Sequence, residues 1–331
     1  EEALSASAQA RALWQALGDR LREGDALRWM SRLSWYNGRS AQAEGHAERA
    51  IELLAGLPPG RELAMAWSNR AQLCMLSGRS ADALEWGRQA LRLAEELGDG
   101  GIEVQAHALN NMGAALLNEG NEAGREMLER SLEIALAADL GEHAARAYTN
   151  LSHHAVVSRD FERLWPLQER GLAFCEERDL DAWTRYMSGY RAEALLASGD
   201  WERAREQAEA VLRAPYVAPI SRVPALLVLA QLRTRRGEEG AEQLLDEALS
   251  LALPTDTLMR MGPVASARAE AAWLAGDPAR ALAEARRGAP YAFKGAYMPW
   301  IAGEVAYWLH RCGALESLPE NCPEPYALQF A

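Results

Sequence analysis

The sequence has almost no lysine, since Lys294 is the only one among its 35 basic residues and all the others are arginine. We interpret this as coding bias in a GC-rich genome rather than as selection for bidentate anion binding. A basic stripe is also missing, because the net charge is −12. Binding to nucleic acid depends on such a stripe, so direct contact of this segment with DNA or RNA is excluded.

Long hydrophobic runs are absent as well. The longest strongly apolar run covers residues 225–230, which is far too short to span a bilayer. The N-terminal residues lack a basic region followed by an apolar core, so no targeting segment is predicted. The four cysteines, Cys74, Cys175, Cys312 and Cys322, show no C-x-x-C spacing and are interpreted as free thiols. These features predict a cytoplasmic protein that does not contact a membrane.

Motifs for catalysis are missing too. The chain has no glycine-rich phosphate loop, no H-E-x-x-H and no G-x-S-x-G. His153 and His154 are adjacent, which places them on different faces of a helix and disfavours joint metal ligation. The sequence therefore predicts a protein that is not an enzyme, with no metal and no cofactor in this segment.

What the chain does contain is a period of about 40 residues marked by glycine. Seven glycines recur 37 to 42 residues apart, apart from one double interval with Arg159 near its midpoint; they are Gly38, Gly78, Gly120, Gly199, Gly237, Gly276 and Gly313. Glycine suits the position just past a helix end, where a left-handed backbone is unfavourable for other residues. Arg159 is therefore expected to be strained or to turn differently.

A small residue always precedes these eight landmarks by seven positions. The set is Ser31, Ala71, Gly113, Ser152, Ala192, Ala230, Ala269 and Ala306. A fixed small position at this period is typical of stacked helical hairpins in which two helices cross closely. We predict an all-α fold, a right-handed superhelical solenoid of about eight antiparallel helix hairpins.

The period divides residues 1–331 into units of one solenoid. Residues 1–20 form a half-repeat, and residues 326–331 begin a truncated helix after Pro319, Pro323 and Pro325. The hairpins between them are expected at about 24–58, 61–98, 101–140, 142–179, 181–215, 219–253, 258–290 and 297–318. Residues suited to cap the helix after each turn are Ser40, Ser80, Asn121, Asp160, Asp200 and Asp277. The unpartnered ends predict a fragment of a longer protein.

The position nine residues before each landmark is the most informative for function. It holds Trp29, Asn69, Asn111, Asn150, Tyr190, Val228, Ala267 and Glu304 in successive units. Asparagine is a poor residue for a helix interior, so three in succession require an explanation. A row of amides can bind a peptide backbone, or each amide can bond the neighbouring helix and set the stacking of the hairpins. Both interpretations stay open at this point.

Other residues on the same inner face complete a candidate binding groove that is polar with aromatic walls. The candidate contact residues are Trp29, Arg32, Asn69, Gln72, Asn111, Asn150, His153, Tyr186 and Tyr190. Amides with aromatic rings suit a peptide or a sugar. The alternative is that aromatic residues such as Tyr186 belong to the hairpin core.

The repeating unit resembles the tetratricopeptide repeat (TPR). The segment from Ala66 to Leu91, AWSNRAQLCMLSGRSADALEWGRQAL, carries the residue types that the family favours: Trp67, Asn69, Ala71, Gly78, Ala83 and Ala90. The resemblance covers nearly the whole chain. The units of about 40 residues are longer than the shortest form of the family.

A narrower resemblance is to the C-terminal repeat region of bacterial signal-transduction ATPases (STAND) that regulate transcription and end in a LuxR-type DNA-binding domain. It is carried by segments such as EHAARAYTNLSHHAV, SRVPALLVLAQLRTRRG, ARAEAAWLAGDPARALAEA and EPYALQFA. The resemblance implies that an ATPase module, where ATP would bind, precedes the repeats and that a helix-turn-helix follows them. It also implies that the repeat groove senses a small-molecule inducer or a partner protein.

Two hypotheses for function follow. The first is a sensor and protein-interaction region of a cytoplasmic bacterial transcription regulator, with an inducer or a partner segment in the concave groove. The second is a plain scaffold that holds a peptide segment of another protein and has no small-molecule effector. An enclosed pocket with converging polar groups favours the first hypothesis, and an open channel favours the second.

Overall fold

The computed structural model describes residues 2–293, 297–316 and 322–328. Every regular element in these ranges is a helix. The chain divides into two compact units, one made of Glu1–Leu117 and Asn121–Asn150 and the other of Asn118–Gly120 and Leu151–Ala331. Lys294, Pro319 and residues 329–331, which the sequence analysis singled out, lie outside the described ranges.

The helices follow one another with short connections. The first eight are α1 Glu2–Leu17, α2 Arg20–Tyr36, α3 Ser40–Ala55, α4 Arg61–Leu76, α5 Ser80–Glu96, α6 Ile102–Asn118, α7 Ala123–Ala137 and α8 Gly141–Val157. The others are α9 Phe161–Glu176, α10 Asp181–Ala197, α11 Trp201–Arg213, α12 Pro219–Arg236, α13 Ala241–Ala252, α14 Leu258–Leu274, α15 Pro278–Ala292, α16 Pro299–Arg311 and α17 Glu324–Ala327. Two short 3-10 segments, Gly98–Gly101 and Leu253–Thr255, extend α5 and α13.

Pairs of consecutive helices form hairpins, as the tight turns between them require. The pairs run from α2 with α3 to α14 with α15, so the predicted all-α array of helix hairpins is confirmed. Residues 297–318 were expected to form a further hairpin. Their described part holds only α16, because the chain after Arg311 continues as turn and coil through Glu316.

The landmark residues adopt the backbone conformation expected of them. All seven glycines have a positive φ, between 68° and 89°. Arg159 occupies the same left-handed region with a φ of 57°, so the expected strain at this turn is present. The turn geometry is thus constant along the array although one side chain differs.

Side-chain caps are found at some of the expected residues only. Asp160, Asp200 and Asp277 each accept a hydrogen bond from the backbone N–H three residues later. Ser40 and Ser80 were wrongly predicted as caps, because each is already the first residue of its helix and the preceding arginine occupies the cap position, where its side chain makes no capping hydrogen bond. The Ser80 hydroxyl instead donates to the Ala115 carbonyl at 3.4 Å.

The small residues lie where the two helices of a hairpin cross. The seven with side chains are at most 1% exposed. At Gly113 in α6 the approach is close, since a Cβ added there would lie 2.6 Å from the carbonyl oxygen of Gly124 in α7. The backbones themselves are therefore in contact at this crossing.

The cysteines and the first helix complete the description. Cys74 and Cys175 are buried free thiols, as the helical pattern around them indicates, and Cys312 and Cys322 are free and half-buried.

Helix α1 lies against α2 but buries none of its own residues. Within the described ranges, no helix combines the length and apolarity that a bilayer crossing requires.

Replacement of Gly113 by alanine is expected to destabilise the protein by about 1–3 kcal/mol, because the new methyl group overlaps a backbone atom that cannot move aside. The matched control is Gly45→Ala in α3, where an added Cβ meets nothing within 4 Å. This control should stabilise the helix by about 0.5–1 kcal/mol. Urea unfolding of both variants measures the difference, and equal midpoints would contradict the close crossing.

Candidate functional site

The nine candidate contact residues are distributed over both units. Trp29, Arg32, Asn69, Gln72, Asn111 and Asn150 belong to the first unit, and His153, Tyr186 and Tyr190 to the second. Each group is described within its own unit.

The three asparagines of the first unit bond to a neighbouring first helix. The Asn69 amide donates to the Ser31 hydroxyl at 3.0 Å, and the Asn111 amide donates to the Ser68 carbonyl at 2.8 Å. The Asn150 amide donates to Asn110 Oδ1 at 2.6 Å. Asn69 and Asn111 are 2% and 0% exposed. These are the contacts that the stacking interpretation requires, whereas a ligand-binding role for the asparagines stays a prediction.

Asn111 is the centre of a buried polar network. Arg146 donates to its Oδ1, and its Nδ2 lies 3.2 Å from His107 Nδ1. The Ser68 hydroxyl lies 2.6 Å from the same His107 nitrogen. Burial and the charge of Arg146 hold the pKa of His107 well below its usual range, so the ring is neutral. Burial lowers the pKa of Arg146 to about 9, which still leaves it charged at neutral pH.

Trp29 and Arg32 form part of a cationic cluster. The Trp29 ring is 39% exposed and lies 4.5 Å from the guanidinium of Arg28 and 5.2 Å from that of Arg32. Arg32 also donates to Glu142 Oε2 at 2.6 Å. Gln72 is buried, and its Oε1 has no hydrogen-bond partner in the described part of the chain. These residues thus form packing and charge contacts within the first unit.

Glu103 links three helices of the first unit. Its Oε1 lies 3.1 Å from His143 Nε2, and its Oε2 accepts a hydrogen bond from Arg61. The bond from His143 and the charge of Arg61 lower the pKa of Glu103 to about 2, against the opposing effect of burial. Burial lowers the pKa of His143, so this ring donates in its neutral form.

A cavity of about 290 Å³ lies in the second unit. The last turns of α8 and the facing sides of α10, α12, α14 and α16 line it, so first helices of successive hairpins contribute most of the wall. Val156, Leu227, Val228 and Ile301 supply apolar surface. The polar residues of the lining include His153, Arg159, Tyr190, Glu193, Arg260 and Glu304.

Arg260 organises one side of this cavity. Its guanidinium donates to the hydroxyls of Tyr190 at 3.1 Å and of Tyr186 at 2.7 Å. The His153 ring packs edge-on against Tyr190 with centroids 4.6 Å apart. Burial and the nearby Arg260 lower the pKa of His153 to about 3, so the ring is neutral. Burial also raises the pKa of Tyr190 well above its usual value, so the Tyr190 hydroxyl beside Arg260 provides no negative charge.

Two glutamates supply the acidic groups of the cavity. Burial, reinforced by the charge of Glu304, raises the pKa of Glu193 to about 7. Burial and the charge of Glu270 raise the pKa of Glu304 to about 7. Both carboxyl groups therefore change charge near neutral pH, which ordinary surface glutamates do not.

Some of the residues around this cavity stand at positions that the sequence repeat singles out. His153, Tyr186 and Tyr190 were candidate residues, and all three meet around Arg260. Glu304 lies nine residues before the turn glycine of its hairpin, and Asn111 lies nine residues before the turn glycine of another hairpin. Arg260 was missed. Arg260 lies seven residues before Ala267, which stands nine residues before its own turn. A spacing of seven residues places both side chains on the same face of α14, and this spacing is the signal that could have revealed Arg260.

The arrangement has the features of a small-molecule binding site. It combines a carboxylate pair, a buried guanidinium and aromatic rings around a small space. No three His, Cys, Asp or Glu side chains are grouped as metal ligands in the part of the chain that the structure describes.

We predict that Asn111→Ala destabilises the protein by about 1–3 kcal/mol, since it leaves the buried Arg146 charge without its acceptor. The exposed Gln42→Ala in α3 is the control and should change stability by less than about 0.5 kcal/mol. Chemical denaturation of the two variants decides between the roles of the asparagine. An unchanged midpoint for Asn111→Ala would contradict the stacking interpretation.

A second expectation concerns pH. The folded state lowers the pKa of Glu103 from 4.5 to about 2, so its contribution to stability is complete above about pH 4.5 and is lost as the pH falls towards 2. Glu103→Gln should therefore cost about 1–2 kcal/mol at pH 7, less than the full shift because the side chain is 30% exposed. The difference from wild type should vanish near pH 2, measured by urea unfolding across this range. A difference independent of pH would refute the assignment.

Comparison with known proteins gives no family. The sequence matches none of the protein-family models and none of the curated proteins. Among solved structures it is similar to BtubC (BKLC) from P. vanneervenii, with 21% identity and a TM-score of 0.45 over 64% of this chain and 89% of that chain. It is also similar to Ton1535 from Thermococcus onnurineus NA1, with 13% identity and a TM-score of 0.34 over 98% and 99% of the two chains. The TPR domain of P58(IPK) gives 13% identity and a TM-score of 0.27 over 93% and 98%. All three TM-scores are low, so the fold description rests on the helices of this chain.

Proposed function

We propose that this chain is the sensor repeat region of a cytoplasmic bacterial transcription regulator of the signal-transduction ATPase type, and that it binds a small-molecule inducer. The observation that carries the proposal is the cavity of about 290 Å³ with the charged groups of Glu193, Glu304 and Arg260 in its wall. Small-molecule sites combine a concave, largely apolar space with a few converging polar groups. The volume is at the small end of the usual range of about 300–1,000 Å³.

A peptide scaffold is the less favoured alternative. Holding an extended main chain would require amides with free donors and acceptors along a groove. The amides of Asn69, Asn111 and Asn150 already donate to neighbouring helices. The ligand groups that this chain offers are thus concentrated in the second unit, where the cavity lies.

The position of the cavity suits a regulatory role. Its walls come from α8, α10, α12, α14 and α16, so a bound molecule contacts five first helices at once. A ligand that fits one arrangement of these helices better than another shifts the population towards it. In the regulators that the sequence resembles, an adjoining ATPase module would respond to such a shift, as coupling between two sites requires.

The test is a thermal-shift screen of the protein with small metabolites and, in parallel, with peptides. We expect at least one metabolite to raise the melting temperature by several degrees, since ligand at a hundredfold excess over Kd stabilises by about 2.7 kcal/mol. Met259 is half-buried in the wall of the cavity, so Met259→Trp places a larger side chain into the cavity. This variant should abolish the shift in melting temperature.

The matched control is Leu253→Trp, because Leu253 is 50% exposed and lies outside the cavity lining. This variant should respond to the metabolite as the wild type does. Stabilisation by peptides and by no metabolite would support the scaffold instead. A metabolite shift that survives Met259→Trp would place the binding site elsewhere.

A further inference from the structure

The charged side chains around the cavity of the second unit are not paired with one another. Within the described residues, neither Glu193 nor Glu304 forms an ion pair or accepts a hydrogen bond. Both side chains are half-buried, and a carboxylate with little access to water normally has such a partner, because an unpaired charge is unfavourable there. The two carboxyl groups therefore leave a place for a cationic group that the described chain does not supply.

Two of the three guanidinium groups that line the cavity, those of Arg159 and Arg260, also lack a carboxylate, whereas Arg235 pairs with Glu270 at 2.6 Å. Arg260 is 4% exposed and bonds only to the hydroxyls of Tyr186 and Tyr190 in the described structure. Those bonds use two of its five N–H donors and do not neutralise its charge. Arg159, at the turn after α8, donates to the Tyr326 hydroxyl at 3.3 Å and forms no ion pair with a described residue.

The cavity thus offers acceptors for a cation and donors for an anion at once. Arg260 and Arg159 influence the carboxyl of Glu193 through space, but the chain does not join the two signs of charge by direct contact. A ligand with only an amine would leave the Arg260 guanidinium unpaired, and a ligand with only a carboxylate would leave both glutamates unpaired. A molecule with both groups satisfies the whole set.

Size and lining restrict the molecule further. A cavity of about 290 Å³ suits a ligand of amino-acid size rather than an oligosaccharide or a long peptide. Besides the polar Gln231 and Arg235, the rest of the wall is apolar or aromatic and includes Val156, Leu227, Val228, Trp300 and Ile301. This surface suits an apolar side chain on the ligand.

We propose that the inducer is a free α-amino acid with an apolar or aromatic side chain. Glu193 and Glu304 face its ammonium group, and Arg260, with Arg159 at the turn, faces its carboxylate. This inference rests on the proposed function, because it names the chemical class of the small molecule that the same cavity binds.

Binding of such a molecule is coupled to protons. In the free protein the pKa values of Glu193 and Glu304 are about 7, so at pH 7 each carboxyl is about half protonated. An ammonium group favours the charged carboxylates and lowers both values. The charged groups that act on the two carboxyls from the surrounding helices are Arg159, Arg235, Arg260 and Glu270. Binding at pH 7 should therefore release about one proton in total.

The experiment is isothermal titration calorimetry with leucine, isoleucine, valine, methionine, phenylalanine, tyrosine and tryptophan, each added to the whole chain. At least one should bind. For that amino acid, the N-acetyl derivative and the primary amine that lacks the carboxylate should each bind at least about tenfold more weakly, as the loss of a charged hydrogen bond predicts. Titration in phosphate and in Tris buffer at pH 7 gives the number of protons released.

Glu193→Gln and Glu304→Gln keep the size of the side chain and remove the charge. Each should weaken binding at least about tenfold and reduce the proton release. Glu206→Gln is the control, because Glu206 is exposed and lies outside this cavity. It should bind as the wild type does.

The outcomes separate the two proposals. If none of these amino acids binds but another small molecule stabilises the protein and is blocked by Met259→Trp, the amino-acid inference is wrong and the sensor function stands. An amine or an N-acetyl derivative that binds as tightly as the amino acid also overturns the inference. If no small molecule binds at all, both proposals fail.

Discussion

The close crossing of the two helices within each hairpin is the constraint on which the rest of the structure depends. At Gly113 the backbones of α6 and α7 touch, and the other hairpins place serine or alanine at the same point. A larger side chain there would separate the helices and change their rotation, since packed interiors tolerate little extra volume. The crossing and the left-handed turn that follows it fix the register of every hairpin. The residues nine and six positions before the turn consequently face the neighbouring first helices.

One register is used in two different ways. In the first unit the position nine residues before the turn carries Asn69 and Asn111, and their amides fill the space between helices with hydrogen bonds. In the second unit the same position carries Val228 and Ala267, which are too short to do so. Val228 lines the cavity of this unit. Polar residues whose hydrogen bonds are all made within the chain make an interior rigid, whereas polar residues that line a cavity can bond to a ligand.

The sequence alone was sufficient for the repeat, because its signals are local. A glycine with positive φ and a small residue seven positions earlier are requirements of one hairpin, and each can be recognised without knowing what the hairpin packs against. The cap residues were predicted less well. Ser40 and Ser80 are of a residue type that is favoured at the cap position, yet each is the first residue of its helix. That difference is one residue along the backbone, which a preference for residue type does not resolve.

The residues that line the cavity could be predicted only where the repeat itself marks them. Tyr190 and Glu304 stand at a register position, and they line the cavity. Arg260 stands at none of the positions that were compared, although it contacts two of the predicted tyrosines. The hydrogen-bond partners of Asn69 and Asn111 lie on neighbouring helices, and the sequence does not tell which helices are neighbours. Tertiary contacts were therefore needed to choose between a ligand-binding role and a stacking role for these asparagines.

The unpaired charges of the cavity connect stability with function. A buried guanidinium that bonds only to two tyrosine hydroxyls and two half-buried carboxyl groups without partners are unfavourable in the free protein. In a repeat protein each hairpin contributes its own core, so an unfavourable site in one place does not unfold the array. A ligand that supplies the missing charges removes this cost only when it is bound. The free energy of that pairing is then available to favour the helix arrangement in which the ligand fits best, which is the physical requirement for a sensor.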